Sequence, residues 1–207
     1  MRRITCQADV DEGARWLADR EPRFAAVLPD LSPLPLRLRP DGYSALLSAI
    51  VGQQVSTASA AAIWARLEKA GLTEQDRIAA CNEQELRDCG LSRPKVRYAI
   101  GVAQAGLDWR TLWHMNDADA RATLVALPGI GPWTADIYLL SSLGRANVFP
   151  AGDLALQEAA RVLFELEDRP DAKAMSAMAD NWSPWAAVAA RALWAYYRRI
   201  KGREGVR

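Results

Sequence analysis

Two features of this sequence could do chemistry: the run Leu127-Pro128-Gly129-Ile130-Gly131-Pro132-Trp133-Thr134 and, further along, Asp153 in a stretch poor in other charges. Two glycines let a backbone turn tightly and approach another molecule with no Cβ in the way. Pro132 suits the first position of a helix, where its missing N–H would have no partner in any case. The N–H groups of Gly129, Gly131 and the first helical turn then face outward at the positive end of a helix. That arrangement receives anions, and DNA phosphate is the candidate. Asp153 stands just ahead of a helix read over Leu154 to Leu166, where the dipole favours an ionised carboxylate. A plain N-cap would place the same residue there, and one carboxylate can serve both ends, because capping aims it past the helix. Asp136, the alternative acid, falls inside the helix that follows the glycine turn and is expected to be structural.

The elements that must position these residues are helical almost throughout, so the fold class is all-α. A first helix is read over Val10 to Asp19, after which Pro29, Pro33, Pro35 and Pro40 predict an extended connector. Helices follow over Tyr43 to Val51 and Ser56 to Ala70, either side of Gly52. A short helix over Glu83 to Cys89 is stopped by Gly90. Ser92 is positioned to cap the next, with Pro94 in its first turn and Val96, Ile100 and Ala103 on one face. Ala118 to Leu127 leads into the glycine turn, Pro132 to Leu143 leaves it, and Pro184 to Lys201 forms the last long helix.

Composition excludes several classes. The 207 residues are half hydrophobic and a quarter charged, with a net charge of +1, ordinary for a soluble domain. No apolar run approaches membrane-spanning length and the N-terminus lacks a signal-peptide pattern, so no membrane role and a cytoplasmic location are expected. Cys6, Cys81 and Cys89 encode neither a disulfide framework nor a metal cluster. His114 lacks partners for zinc or nucleophilic catalysis and reads as a surface or helix-end residue. Arg93, Lys95 and Arg97 sit together, and Arg198, Arg199, Lys201, Arg203 and Arg207 form a basic tail. Such runs are more often solvated faces than binding sites.

Apolar residues flank the glycine turn at helical spacing. Val125, Leu127 and Ile130 are expected to bury while the glycines face out, and Ile137, Leu140 and Leu143 continue an apolar face. This is the shape of a helix-hairpin-helix, and it resembles the hairpin of the helix-hairpin-helix DNA glycosylases. Val148-Phe149-Pro150-Ala151-Gly152-Asp153 is similar to the loop that ends in the family's catalytic aspartate. Ile50-Val51-Gly52-Gln53-Gln54-Val55-Ser56 resembles the turn that carries its DNA wedge. Trp182-Ser183-Pro184-Trp185 and Ala192-Leu193-Trp194-Ala195-Tyr196 look like the closing helix of the bacterial 3-methyladenine DNA glycosylase II branch. From Arg37 to Tyr197 the chain follows that branch in order.

The resemblance implies a two-lobed all-helical glycosylase fold in a single domain. One lobe would span about 43–143, with the hairpin at 127–134, and the other would combine 1–42 with 144–207. The extra N-terminal β domain of the branch's best-known members is not expected. The implied activity is that of a monofunctional glycosylase of base-excision repair, acting on duplex DNA that carries alkylated purines, 3-methyladenine and with it 7-methylguanine. Such an enzyme lifts the base out of the stack. The base–sugar bond breaks through an oxocarbenium-like state, which Asp153 is expected to stabilise while orienting water. An alkylated purine is cationic, leaves without a general acid, and gains about 0.5–2 kcal/mol against each aromatic face.

Among the 8 tryptophans, Trp133 and Trp194 are expected by resemblance in the base pocket, beside Ile137 and Tyr138, with Trp185 a further candidate. Trp16, Trp64, Trp109 and Trp113 are expected in the core. Ile137 replaces a frequent tyrosine of the branch, which keeps open a glycosylase for a neutral lesion such as hypoxanthine. A non-catalytic helix-hairpin-helix binding module is the rival of another class, and it would have no use for Asp153. Bifunctional relatives carry a Schiff-base lysine where Trp133 stands, and a Schiff base needs an amine. No cysteine follows Cys89, against the iron–sulfur branches. The resemblance also assigns DNA contact to Gly129, Ile130, Gly131, Trp133, Thr134 and Gln53, and the wedge to Gln54. The carbonyls of Val125, Leu127 and Ile130 would hold a monovalent or similar ion. No cofactor is required on this reading, the partner is damaged double-stranded DNA, and the chain is expected to be a monomer.

Overall fold

The computed structural model describes residues 1–202, and thirteen helices account for its regular structure. Among the described residues there is no strand, only one antiparallel bridge between Arg3 and Arg145. The chain divides into two compact units, one of Met1–Leu38 together with the chain from Leu139 onward, the other Arg39–Tyr138.

The first unit holds α1 (Gln7–Arg20), α2 (Pro22–Leu31), α11 (Leu154–Leu163), α12 (Ala172–Asp180) and α13 (Ala186–Lys201). Helix α13 is the axis of this unit: every residue from Ala186 to Ala195 is buried, and α1, α2, α11 and α12 all pack on it. Its many alanines permit that enclosure. At Gly13 the approach of α1 is so close that a Cβ would stand 2.6 Å from Val188 Cγ2. In the same unit Phe24 meets Phe164 and Trp182 edge-on, and the Phe164 ring lies tilted against Trp182.

Arg191 is fully buried in α13, and its partners are carbonyls. Its Nε and Nη2 donate to Leu36 O at 3.2 and 2.9 Å, and Nη1 donates to Ala187 O at 2.8 Å. Burial, and then the nearby Arg37 guanidinium, push its pKa down to about 10. These bonds pin the connector to α13.

The connector itself starts later than the prolines predict. Pro29 lies inside α2, which runs to Leu31. Pro22 opens that helix, the Glu21 side chain accepts from Arg23 N–H, and Phe24 and Leu28 bury one face. Pro29 sits so late that the helix has little further to run after losing one N–H donor.

The second unit comprises α3 (Tyr43–Gly52), α4 (Thr57–Ala70), α5 (Gln75–Ala80), α6 (Glu83–Asp88), α7 (Arg93–Gln104), α8 (Trp109–His114), α9 (Asp117–Val125) and most of α10 (Pro132–Ser141). Helix α7 is its spine, packed by α3, α5 and α6. The expected core tryptophans here are only half-buried. Trp64, Trp109 and Trp113 each send the indole N–H to a side-chain oxygen, of Glu68, Gln75 and Asp41 respectively. Trp16 of the first unit is likewise half-buried, under the Arg20 guanidinium. A ring with one polar edge settles where that edge can find an acceptor. His114 is exposed at the end of α8, as its isolation suggests.

Candidate active site

In the first unit, the loop before α11 is locked by its own backbone. Ala151 N–H donates to Phe149 O and Asp153 N–H to Pro150 O, both at 2.9 Å, while the buried Gln157 donates from Nε2 to Ala151 O at 3.0 Å. The Phe149 ring meets Trp182 edge-on, 5.3 Å between centroids. Asp153 emerges from this loop as the N-cap of α11 and is 7% exposed. Its Oδ1 accepts from Ala155 N–H at 2.9 Å and Leu156 N–H at 3.1 Å. The cap therefore rests on one carboxylate oxygen. Asp153 is a cap, and the same bonds fix its carboxylate in place.

Trp194 of α13 belongs to the same unit and is 5% exposed. Its indole N–H is buried without a hydrogen-bond partner. Arg37, in the left-handed backbone region at φ 51°, holds its guanidinium 5.4 Å from the Trp194 ring centre. Trp185, the further pocket candidate, is instead a core residue at the start of α13, with the Arg2 guanidinium 4.2 Å above its ring.

The hairpin lies in the second unit. Gly129 has φ 77°, and a Cβ there would fall 2.3 Å from the Tyr98 ring, so glycine is required twice over. Gly131 is exposed, and a Cβ on it would meet nothing within 4 Å. Its carbonyl accepts from Ala135 N–H at 3.0 Å, the first hydrogen bond of α10, and Pro132 takes the first helical position. Leu127 and Ile130 are buried as expected, which leaves their main chain for any outside contact. Val125 is the exception: it is exposed. Thr134 is buried, so its contribution to an anion site is through the backbone. Trp133 presents an indole that is 37% exposed.

The two helices of the hairpin are tied by Arg121, whose Nε and Nη2 donate to Asp136 at 2.7 and 3.2 Å. Burial raises the Asp136 pKa against the pull of Arg121. Asp136 thus has the structural role its place in the helix suggested. Tyr138, expected in the pocket, is a core residue of this unit: its ring packs near Trp109 and its hydroxyl accepts from Gly42 N–H at 2.8 Å. Ile137 is half-buried.

The turn between α3 and α4 separates its two glutamines. Gln53 is half-buried and donates from Nε2 to Gly129 O at 3.1 Å, joining this turn to the hairpin. Gln54 is exposed and stands in the left-handed region at φ 54°, uncommon for a residue with a side chain. Ser56 then caps α4, its Oγ accepting from Ser59 N–H.

The basic group on α7 is split. Arg93 and Arg97 are exposed, but Lys95 turns inward to donate from Nζ to Val51 O at 2.8 Å. Sequence patterning did not single out this contact, because a backbone acceptor leaves no residue-type signature. On the tail, Arg199 pairs with Asp30 and Lys201 with Glu158, while Arg203 and Arg207 lie outside the described residues. Among the described residues no helix is long and apolar enough to cross a membrane.

Comparison with known proteins agrees with this geometry. Residues 47–185 match the family described as HhH-GPD superfamily base excision DNA repair protein. The chain is 32% identical over 184 residues to the Bacillus subtilis protein YfjP, covering 83% of this chain and 64% of that relative. It thus spans somewhat less than two thirds of that protein's length. Among solved structures, a DNA-3-methyladenine glycosidase from Bacillus halodurans superposes with a TM-score of 0.77 at 27% identity, covering 98% of this chain and 95% of the other. The Schizosaccharomyces pombe 3-methyladenine DNA glycosylase Mag1, in complex with abasic DNA, gives a TM-score of 0.78 at 22% identity over 92% of this chain and 97% of that one. The chain belongs to the HhH-GPD superfamily of base excision DNA repair proteins.

Proposed function

We propose that this protein is a monofunctional DNA glycosylase that removes alkylated purines, 3-methyladenine first among them, and leaves an abasic site in duplex DNA. The carrying observation is Asp153, a carboxylate held by two backbone N–H donors at the head of α11. A carboxylate so fixed stabilises the positive charge that builds on the sugar and orients the attacking water. The names of the Bacillus halodurans and Schizosaccharomyces pombe proteins support the substrate class. A cationic alkylpurine leaves without protonation, so the scheme needs no general acid. Trp194 meets the base only where the Arg37 guanidinium leaves its ring, and Trp133 brings an indole where a Schiff-base enzyme would need an amine.

The backbone N–H groups of Gly129, Gly131 and Thr134 receive phosphate at the positive end of α10, and Ile130, its own N–H turned to Leu127 O, shapes the turn between them. Gln54, exposed on its turn, fills the gap left by the departed base. Among the described residues no three His, Cys, Asp or Glu side chains gather as a metal site, so an ion at the hairpin would be held by the carbonyls of Val125, Leu127 and Ile130. The Leu127 carbonyl accepts one hydrogen bond, from Ile130 N–H at 3.2 Å, and an oxygen has room for a second partner. Such an oxygen set suits a hard cation, which when bound adds positive charge where phosphate arrives. The working protein on this reading is a cytoplasmic monomer acting at the nucleoid.

A second reading, a glycosylase for a neutral lesion such as hypoxanthine, draws on one observation: the Arg37 guanidinium already sits over the Trp194 ring. A cation there works against a cationic base. Single-turnover release from duplexes holding 7-methylguanine, 3-methyladenine or hypoxanthine, by wild type and Asp153→Asn, tests both. Alkylpurine release that collapses in Asp153→Asn, with strands intact until alkali, is expected. Release of hypoxanthine alone selects the second reading. Tight duplex binding with no release of any base overturns both.

A further inference from the structure

The geometry points to Lys95 as a positioning residue that holds the wedge turn at a fixed height above the hairpin, acting through α7 and not through DNA. This rests on the reading above, in which Gln54 enters the duplex and the hairpin grips phosphate. Lys95 is 9% exposed, and its Nζ donates to the Val51 carbonyl at 2.8 Å. Val51 is next to last in α3, so its carbonyl is one that the helix leaves without an internal acceptor role. A cation there also meets the negative end of the helix dipole.

Three residues along α7, Tyr98 abuts the hairpin, its ring 2.3 Å from where a Gly129 Cβ would be. Three further, Gly101 admits Pro128, whose Cγ would lie 2.7 Å from a Cβ at 101. From the other side Gln53 Nε2 reaches Gly129 O at 3.1 Å. Lys95, Tyr98 and Gly101 follow one another at helical spacing, so a single rod carries both the turn and the hairpin. Once the hairpin has fixed the phosphates, α7 determines how far Gln54 projects. A wedge works only if it is stiffer than the base stack it opens, and a turn free to yield would bend instead.

Burial lowers the Lys95 pKa, a property that an amine nucleophile also needs. Its amine, however, points at a carbonyl of its own unit and is nearly hidden from solvent. That places it behind the turn, away from any sugar.

The test uses the full chain and Lys95→Met, which keeps the stem and removes the donor. Single-turnover release is compared on two duplexes, one with the lesion paired and one with it opposite an abasic gap, where no partner resists extrusion. The expected result is release about tenfold slower on the paired lesion and within about twofold on the gapped one. Binding to undamaged duplex should be unchanged, and Lys95→Arg, which keeps a donor, should recover part of the loss. Equal slowing on both duplexes, or weaker binding to undamaged DNA, overturns the proposal in favour of general structural support. Borohydride trapping of wild type on abasic duplex, lost in Lys95→Met, overturns it in favour of a nucleophile. Should Lys95→Met not fold, Lys95→Gln, which keeps a polar head but is one atom too short to reach the Val51 carbonyl, should lower the same paired-to-gapped ratio. Absence of release from either duplex by wild type removes the glycosylase reading itself, a result distinct from all of these.

Discussion

Trp16 aside, the unit that carries Asp153 and the unit that carries the hairpin treat their tryptophans in opposite ways. In the first, Trp182, Trp185 and Trp194 are buried around α13, and the aromatic cluster of Phe24, Phe164 and Trp182 backs the loop that delivers Asp153. In the second, Trp64, Trp109 and Trp113 are half-exposed with their N–H groups tied down, and Trp133 stands out in solvent. One unit uses side-chain packing to hold a single carboxylate still. The other relies on a glycine at positive φ, a lysine on a helix-end carbonyl, and an arginine paired with Asp136. What it leaves uncovered is what can touch another molecule. Substitutions in the first should therefore act through chemistry or packing, and in the second through backbone shape.

The largest expected break in that contrast is at Asp153. Asp153→Asn should slow base release by about a thousandfold, on the scale of losing a preorganised charge-stabilising group. Its unfolding midpoint should barely move, because an amide oxygen still accepts from Ala155 and Leu156. Asp153→Ala should lose the same activity and about 1 kcal/mol of stability besides, the cost of a missing cap. Near-normal release by the Asn variant, in single-turnover assays, would leave Asp153 as a cap only.

Next in size is Arg191→Met, which strips donors from the carbonyls of Leu36 and Ala187. Stability should fall by about 3 kcal/mol in denaturant titrations, with release per folded molecule preserved. A drop in rate at full folding would mean that this unit does more than hold the carboxylate.

In the hairpin, Gly129→Ala should cost about 2 kcal/mol, from strain at positive φ and overlap with Tyr98. Gly131→Ala should cost about 1 kcal/mol or less, yet still weaken duplex binding, because its new methyl group projects into open space where phosphate would sit. Fluorescence anisotropy beside thermal melts separates the two. Equal behaviour of both variants would dissolve the distinction between the fold glycine and the contact glycine.

The effect smallest at neutral pH, where it vanishes, is on the alkaline side. Burial raises the pKa of Tyr43 and Tyr138, both in the hairpin unit. Unfolded tyrosine ionises near pH 10 while these hydroxyls keep their protons, so their contribution is complete below about pH 10 and is lost as pH rises beyond it. The decline should approach ~1.4 kcal/mol per pH unit for each tyrosine. Tyr138→Phe should make the decline between pH 10 and 11 shallower than in wild type, and an unchanged slope would exclude this source.

The legible parts of the molecule were those written in residue type. Gly129, Pro132 and Asp153 announce a turn, a helix start and a cap because few other residues can serve there. Helices α5 and α8 have six residues each, too few periods for an apolar stripe to register, and they lack the glycine stop that marks the equally short α6. Helix α2 was concealed by Pro29, whose usual breaking effect is blunted by its place near the helix end. The work of Gln53 and Lys95 was hidden for another reason: both end on main-chain oxygens, 76 and 44 positions away. Any residue supplies such an acceptor, so nothing at Gly129 or Val51 marks it. Tryptophan burial was misjudged because ring area was weighed without the indole N–H, and in three of these rings that N–H decides the setting.

The left-handed backbone at Gln54 has a consequence for anyone redesigning this protein. At φ 54° a side chain branched at Cβ crowds the main chain, a penalty of roughly 1–2 kcal/mol. Isoleucine or valine would fill an emptied stack with more apolar bulk, yet the turn itself resists them. A library randomised at this position and selected for survival under alkylation should return a narrow alphabet of glycine, asparagine and unbranched side chains. The local conformation edits the choices before DNA is ever encountered.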